Sequence, residues 1–339
     1  MLRATTSIRK ITKNLEKRSS VKNQHENGSS TPVNTEGLAV GPRTKLEEEF
    51  NCMAEDIYNY LVHHEKKYVL DDSFINGGNV NSKMRRILVD WLVQVHLRFH
   101  LTPETLHLTI FVLDRIIVKN IVSKAEFQLL GVAALFVASK FEDIYLPDIL
   151  EYELITENTF SKKQILAMEQ TILNALNFDL SCPSSLVFLR YISKTLTEND
   201  VNPIDKETFY YVHNISKCLG ELALLDSVMS TVPRSHVASA SMIITLNIIS
   251  VDGINPKTAA SMIRKQFGAS KQDIYDAISL LAQVAYKNFR HQKLCAIREK
   301  YQSSKFGRVS YLMTDEILEK IHRMGRNLEA SEAETSEME

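Results

Sequence analysis

The stretch from Met84 to Val95, MRRILVDWLVQV, most constrains the fold of this chain, and it holds the only tryptophan. At the helical step of about 100° per residue, most of its apolar side chains fall on one side, and Val89 and Val93 fall nearly opposite. A helix that is apolar most of the way round is normally central, with neighbours packed on several sides. One edge carries four side chains at spacings of three, four and three residues, namely Met84, Ile87, Trp91 and Gln94. If the core of the protein does not cover that edge, it is a docking surface for another molecule.

Helix start signals recur along the chain, and strand signals are nearly absent. Thr102-Pro103 and Asn255-Pro256 each place a proline at the first helical position. Capping boxes are predicted at Ser123 to Glu126 and at Ser161 to Gln164. Because β-branched residues occur inside helical periods rather than in alternating runs, the sequence predicts an all-α fold.

A faint internal repeat predicts two similar helical domains. Ser161-Lys162-Lys163-Gln164-Ile165 and Ser270-Lys271-Gln272-Asp273-Ile274 open two helices, and each helix ends at an Asn-Phe pair. Several helices precede each of them, and one in each half is rich in small residues. Any two amphipathic helices look somewhat alike, which is the simpler explanation. We nevertheless expect a duplicated domain of about five helices, with the boundary near residues 181–183.

The predicted organisation has five segments. Residues 1–45 form a disordered tail, residues 46–80 an N-terminal helix and linker, and residues 81–180 and 181–295 the two helical domains. Residues 296–339 form a C-terminal extension that ends in an acidic tail. The basic start, MLRATTSIRKITKNLEKR, also has the character of a transit peptide, but the missing periodicity beyond it favours a disordered tail.

Charge and missing motifs argue against several classes of function. A formal net charge of −1 disfavours nucleic acid as the main partner, and the apolar runs are too short to span a bilayer. The chain has no phosphate-binding loop, no GxSxG and no HExxH. His96 and His100 have the spacing of metal ligands, but the missing acid favours two partly exposed histidines. We therefore predict a binding module without a cofactor rather than an enzyme.

A set of short motifs, in a fixed order, resembles the cyclin family. Met84-Arg85-Arg86-Ile87-Leu88, followed by Asp90-Trp91, is similar to the opening helix of the cyclin box. The later matches are Leu113-Asp114-Arg115, Leu129-Leu130-Gly131, Ala138 to Tyr145, Met168-Glu169, Leu176-Asn177-Phe178 and Lys300 to Lys305. The resemblance covers roughly Phe50 to Arg326 and is strongest to the B-type, G2/mitotic-specific cyclins.

The resemblance implies two tandem five-helix cyclin boxes with a flanking N-terminal helix. It also implies a regulatory subunit, without catalytic activity, that binds and activates a cyclin-dependent Ser/Thr kinase at the G2/M transition. In the family, the third and fifth helices of the first box press on the mobile helix C of the kinase. B-type resemblance further implies residence in the cytoplasm, with entry into the nucleus around mitosis.

Residue by residue, the resemblance places a kinase contact at the charged pair Lys140 and Glu169. The apolar residues that would surround the pair are Phe141, Leu173, Phe178 and Leu180 in the first box and Ile57 and Tyr60 in the N-terminal helix. These apolar residues are equally compatible with an ordinary core. Arg85 and Asp114 match a pair that forms an internal salt bridge, which would orient the first two helices of the box.

The resemblance also implies a docking patch for Arg-x-Leu motifs of substrates and inhibitors. Its members would be Met84, Ile87, Leu88, Trp91, Gln94 and Gln128. Many cyclins carry an acid at the position of Gln94, where it pairs with the arginine of the motif. Because a glutamine accepts a hydrogen bond but forms no ion pair, the affinity or selectivity for that motif is expected to differ here.

Two further sites follow from the resemblance. Arg190, His213 and Lys217 align with a basic pocket that binds phosphorylated partners in B-type cyclins, although unrelated surface bases would give the same pattern. Arg43-Thr44-Lys45-Leu46-Glu47-Glu48-Glu49-Phe50-Asn51 satisfies RxxLxxxxN, the destruction box that the anaphase-promoting ubiquitin ligase reads. Arg43, Leu46 and Asn51 occupy its fixed positions, but a start of the N-terminal helix here would oppose the extended form that a degron needs.

Two other functions remain open at this point. Paired cyclin-like domains also occur in a general transcription factor that binds DNA, but that class carries a zinc ribbon and a basic face, which this sequence lacks. An unrecognised enzyme would show turnover in the absence of any kinase.

Overall fold

The computed structural model describes residues 45–71, 73–76, 78–197, 206–249 and 254–336. Residues 1–44 lie outside this description, and with them nearly all of the predicted N-terminal tail, including Arg43. The described part of the chain contains thirteen α-helices and no strand, which confirms the all-α prediction. None of the described helices is both long and apolar enough to cross a lipid bilayer.

The first half consists of an N-terminal helix and five helices around a buried centre. The helices are α1 (Lys45–Glu65), α2 (Ser82–Arg98), α3 (Pro103–Lys119), α4 (Phe127–Glu142), α5 (Ile149–Ile155) and α6 (Lys162–Leu176). Helix α4 is the centre, because it packs against α2, α3 and α6 and is buried from Leu129 to Ser139. Gly131 lets α2 approach closely, since a Cβ atom there would lie 3.0 Å from the methyl carbons of Leu88.

The second half repeats this arrangement with five helices and then continues. Its helices are α7 (Ser185–Thr197), α8 (Lys206–Ala223), α9 (Arg234–Ile248), α10 (Pro256–Gln266) and α11 (Lys271–Arg290). Helix α9 is rich in Ala and Ser, and its centre is buried against α7, α8 and α11. Two later helices, α12 (Ala296–Lys300) and α13 (Asp315–Ser336), pack back onto the domains. The backbone of α13 stays helical into the acidic segment.

The capping signals have mixed outcomes. Ser161 and Gln164 form the predicted capping box of α6, and Ser270 and Asp273 form a second box at α11. The box predicted at Ser123 forms only in part, and α4 begins later, at Phe127. The hydroxyl of Ser123 donates to the Glu126 carboxylate at 2.7 Å instead of accepting from its amide, so these residues close a separate turn.

Two buried ion pairs stabilise the packing, and the arginine of the first also bonds across to the second half. Arg85 in α2 donates to both carboxylate oxygens of Asp114 in α3, at 2.6 and 2.8 Å. The same guanidinium donates to the carbonyl oxygen of Leu224 and to the hydroxyl of Ser230, both at 2.9 Å. Arg85 therefore joins the first box to the second, which is more than the role within the first box that the resemblance implied.

The second ion pair joins α12 to α8. The ammonium of Lys300 lies 2.8 and 2.7 Å from the two carboxylate oxygens of Glu221, and both side chains are fully buried. Burial opposes a charge on Glu221, but the ammonium outweighs it and lowers the pKa of Glu221 below its ordinary value. The C-terminal extension is thus anchored inside the molecule rather than attached to its surface.

Candidate interaction surfaces

The predicted contact pair lies at the junction of α4 and α6. Lys140 lies in the last turn of α4, Glu169 lies in α6, and the two side chains form an ion pair. Glu169 is nearly buried and Lys140 is partly exposed, and the ammonium also lies 4.4 Å from the centre of the Phe136 ring. The pair therefore stands at the edge of the core, where a partner is able to reach Lys140.

The structure separates the apolar residues predicted around this pair into two groups. Phe141 and Phe178 are 57% and 68% exposed, and Ile57 and Tyr60 of α1 are similarly exposed. These four are therefore not core residues. Leu180, by contrast, is buried, and Leu173 is half-buried against the core. The side chain of Leu180 packs beneath the surface and offers little area to a partner, and its direct contact with the kinase stays a prediction.

The backbone after α6 explains why Phe178 is exposed. Asn177 and Phe178 both have left-handed backbone angles, with φ of 50° and 58°. The amide of Phe178 donates to the carbonyl oxygen of Leu173 at 3.0 Å, which closes the helix end. A left-handed conformation is uncommon for a bulky residue and persists only where the surroundings enforce it. Here it places the aromatic ring in solvent instead of against α6.

Sequence reasoning missed the most exposed part of this surface. Ile144 and Tyr145, in the loop after α4, are each 90% exposed, and three leucines nearby are about half exposed, namely Leu146, Leu150 and Leu154. A run of apolar residues between Asp143 and Pro147 was the available signal, since no helical period there buries them. Exposed apolar side chains grouped in this way are typical of protein or membrane interaction sites.

Polar contacts from the short 3-10 turn that follows α1, Lys66–Tyr68, hold the N-terminal helix beside this surface. Tyr68 donates to Asp179 at 2.7 Å, and Lys67 pairs with the same carboxylate at 2.5 Å. The ring of Tyr60 stacks on the ring of His64, which lies one turn further along α1. Because Asp179 follows Phe178 directly, these contacts bring the end of α1 next to the exposed aromatic ring.

The predicted docking patch is only partly accessible. Five of its members are half-buried on α2 and α4, namely Met84, Ile87, Trp91, Gln94 and Gln128. Leu88 is 1% exposed and packs against Gly131, so it lies beneath the patch, and a part for it in docking stays a prediction. Its side chain points into the core because α4 approaches α2 at this point.

Gln94 does not stand alone at the rim of the patch. Its amide donates to a carboxylate oxygen of Asp90 at 3.3 Å, and the other oxygen accepts from the backbone amide of Ala296 at 3.0 Å. Burial raises the pKa of Asp90 above its ordinary value, and the nearby Glu299 adds to this rise. Arg86 turns away from the patch and donates to Asn288 of α11 at 2.6 Å.

The structure brings Arg190, His213 and Lys217 close enough to influence one another, but they are not three free cations. Arg190 is already paired with Glu104. Burial lowers the pKa of His213 to about 4, with smaller contributions from Lys217 and Arg190, so its imidazole is neutral near pH 7. His213 also lies 3.0 Å from the hydroxyl of Ser193. The pocket thus contains an internal acid, Glu104, that the resemblance did not indicate.

The remaining predictions concern the destruction box and a metal site. Leu46 and Asn51 lie within the backbone of α1, and Arg43 lies outside the described residues. His96 is buried rather than partly exposed: its Nε2 atom lies 2.7 Å from the carbonyl oxygen of Thr102. Within the described ranges, no group of three or more His, Cys, Asp or Glu side chains is placed to hold a metal ion.

Comparison with known proteins identifies both halves of the chain. Residues 56–181 match the cyclin N-terminal domain, and residues 183–315 match the cyclin C-terminal domain. G2/mitotic-specific cyclin-B1 of Caenorhabditis elegans is 60% identical, over 100% of this chain and 100% of that protein. G2/mitotic-specific cyclin-B of Hydra viridissima is 38% identical, over 76% of this chain and 61% of that protein.

Solved structures support the same fold. A viral cyclin from herpesvirus saimiri aligns over 66% of this chain and 98% of its own, with a TM-score of 0.51 at 17% identity. A chain of the yeast RNA Pol II CTD kinase CTDK-1 complex aligns over 72% of this chain and 81% of its own, with a TM-score of 0.50 at 12% identity. At these identities the likeness concerns the fold alone.

Proposed function

The chain belongs to the cyclin family, and we propose that it is the regulatory subunit of a cyclin-dependent Ser/Thr protein kinase that acts at the G2/M transition. The observation that carries this proposal is the group of exposed apolar side chains around Lys140 and Glu169. Phe141 and Phe178 are both exposed to water, and covering these aromatic side chains with a partner would lower the free energy of the complex. The similarity to mitotic B-type cyclins supports the identity of that partner.

Activation follows from a difference in affinity between two kinase conformations. A surface formed by the rigidly packed helices α4 and α6 fits only one position of the mobile helix C of the kinase. If that position completes the Lys–Glu pair of the kinase site, binding of this chain shifts the kinase towards its active state. The size of the activation is set by how much more tightly the active conformer binds. In this scheme the chain itself performs no chemistry.

The direct test is a pull-down from mitotic extract, with identification of the bound kinase by mass spectrometry. The purified pair should phosphorylate histone, and each component alone should be nearly inactive. Turnover by this chain in the absence of any kinase would contradict the proposal, and so would failure to recover a cyclin-dependent kinase.

We also propose that the patch on α2 recruits substrates through Arg-x-Leu motifs, with Gln94 weakening the preference for arginine. In a Gln94→Glu variant, a carboxylate replaces the amide, and the arginine of the motif gains an ion pair. We expect the affinity for an Arg-x-Leu peptide, measured by fluorescence anisotropy, to rise by about 1.4- to fivefold, because an exposed ion pair contributes about 0.2–1 kcal/mol. Repulsion from Asp90, one turn earlier, keeps the gain small.

The control for this prediction is the same peptide with citrulline in place of arginine. Citrulline keeps the shape of the side chain but removes its charge, so the gain should disappear. A gain that persists with citrulline would show that charge at position 94 does not act on the motif.

We propose that Arg190, His213 and Lys217 bind a phosphorylated segment once Arg190 leaves Glu104. Removing the guanidinium in Arg190→Ala should weaken phosphoserine-peptide binding about tenfold, since a charge-assisted hydrogen bond contributes about 1.5–3 kcal/mol. The Glu104→Gln variant should act in the opposite direction, because it frees Arg190 from its ion pair. Anisotropy titrations with phosphorylated and unphosphorylated peptides measure both effects. If both variants change the affinity in the same direction, the proposal that Arg190 must leave Glu104 to bind the phosphorylated segment is contradicted.

We propose that the chain is degraded at mitotic exit and that Arg43 and Leu46 belong to the signal. Because Leu46 and Asn51 lie in α1, recognition requires the first turns of that helix to unwind. Arg43→Ala combined with Leu46→Ala should lengthen the half-life at mitotic exit several-fold, measured by imaging the fluorescently tagged chain through the cycle. The matched control changes Thr44 and Lys45 to alanine and should leave the decay unchanged. An unaltered half-life in the first variant would remove this segment as the signal.

A further inference from the structure

A second groove lies in the second box, on helices that the proposed kinase contact does not use. It is an open cavity of about 570 Å³ between α10 and α11, with the end of α9 and Met324 of α13 completing its lining. Helices α10 and α11 each pack against α9, and the turn between them carries Gly268 at a φ of 60°. The groove is therefore a feature of the packing of rigid helices.

Each of the two walls of the groove is formed by side chains along one face of a helix, α10 on one side and α11 on the other. On α10 the stripe contains Lys257, Ala260, Ser261 and Arg264, so two cations stand two turns apart with small residues between them. On α11 it contains Lys271, Ile274, Tyr275 and Ile278. The small residues on one wall and the apolar residues on the other make an apolar floor beneath a basic rim.

The basic rim is not neutralised by the described part of the protein. In that part of the chain no carboxylate lies within ion-pair distance of Lys257, Arg264 or Lys271. Lys257 and Lys271 are exposed, and the ammonium of Lys271 lies 5.1 Å from the centre of the Tyr275 ring. Three cations that face one apolar groove favour an anionic partner with apolar side chains.

We propose that this groove binds an acidic amphipathic helix of a partner protein. Two acids seven residues apart on such a helix are separated by about 10.5 Å along its axis, the spacing that Lys257 and Arg264 have on α10. Leucines at the intervening third and fourth positions then face Ala260 and Ser261, where small side chains leave room. This is recognition of a helix in a groove, with the apolar contacts providing affinity and the charges setting register.

A helical peptide accounts for the groove better than a nucleic acid does. Nucleic-acid affinity arises from many phosphate contacts over a broad basic surface, whereas this chain has a formal net charge of −1. An apolar floor would also contribute nothing to contacts with phosphates. The proposal does not depend on the proposed kinase contact, which lies on α4 and α6 of the first box.

The test uses the full chain and a fluorescein-labelled helical peptide with Glu at positions i and i+7 and Leu at i+3 and i+4. Charge reversal of two rim residues, Lys257→Glu with Arg264→Glu, should weaken binding of this peptide at least about tenfold, measured by anisotropy. The matched control is Lys265→Glu, because Lys265 is exposed in the same last turn of α10 but does not line the groove. The control should keep the affinity within about twofold of the native value.

A second peptide with Lys in place of both Glu residues should bind the native chain poorly and the charge-reversed variant better. Thermal melts of both variants should match the native chain, because the changed side chains carry no ion pair. Equal peptide affinities for the native chain and the charge-reversed variant would overturn the proposal. The proposal would also fail if the native chain does not bind the acidic peptide. This outcome would count against it even if the cause is that the acidic end of the chain, or a second copy of the chain, covers the groove. Tighter binding of a single-stranded oligonucleotide than of the acidic peptide would overturn it as well.

Discussion

Replacing Arg85 with methionine is expected to lower the free energy of unfolding by about 3–5 kcal/mol, the largest effect predicted for any single change in this chain. The side chain of Arg85 is 0% exposed and that of Asp114 is 5% exposed. Methionine fills much of the volume of the arginine stem but leaves the carboxylate of Asp114 buried without its partner. It also leaves the carbonyl oxygen of Leu224 and the hydroxyl of Ser230 without their donor. Urea denaturation followed by circular dichroism measures the loss.

Two further variants separate the buried charge from the lost packing. Arg85→Met with Asp114→Leu removes both charges, so it should cost less than the single change, because no uncompensated ion stays in the interior. Arg290→Met is the surface control: Arg290 pairs with Asp315 and Glu319 at exposed positions, where such pairs contribute about 0–1 kcal/mol. If Arg85→Met costs no more than Arg290→Met, the buried pair does not hold the two boxes together.

Removing both exposed aromatic rings, in Phe141→Ala with Phe178→Ala, is expected to weaken kinase binding by about 2–4 kcal/mol, or roughly 30- to 1,000-fold in Kd. Both rings are mostly exposed in the free chain, and the proposed contact would bury them. The melting temperature of the free chain should therefore change little, in contrast to the Arg85 variant. Surface plasmon resonance with the kinase immobilised measures the affinity, and histone phosphorylation at saturating concentration measures activation.

The matched control is Tyr311→Ala, which removes an aromatic ring that is 65% exposed in the C-terminal extension. It should leave kinase binding unchanged. A third variant, Lys140→Ala with Glu169→Ala, tests the charged pair and should lower activation. An equal loss with Tyr311→Ala, or full activation by the charged-pair variant, would contradict the position of the contact.

Local signals in the sequence predicted much of the fold. Helix caps depend on residues three apart, so the capping box of Ser161 and Gln164 could be read directly from the chain. The partial box at Ser123 shows the limit of such signals, because the same side chains form another set of hydrogen bonds when the following turn is not helical. Boundaries of this kind depend on which bonds tertiary packing favours.

Burial at individual positions was harder to predict than helix location. Ile87 and Leu88 are neighbours in the same motif, yet only Leu88 packs against Gly131 and is buried in the core. The exposure of Phe178 depends on two left-handed residues, which helical periodicity does not anticipate. The contact between Arg85 and Leu224 joins residues 139 positions apart, and no pattern within a helix contains that information.

The return of α12 to α2 determines when the protein can finish folding during its synthesis. Asp90, in the first helix of the first box, receives a hydrogen bond from the backbone amide of Ala296. A ribosome that has made the whole first box has therefore not yet made one of the hydrogen-bond partners of its first helix. The N-terminal half leaves the ribosome first. The hydrogen bond from Ala296 to Asp90 cannot form until the entire second box has been synthesised. A premature stop codon anywhere before α12 would thus damage the first helix of the first box as well as the end of the chain.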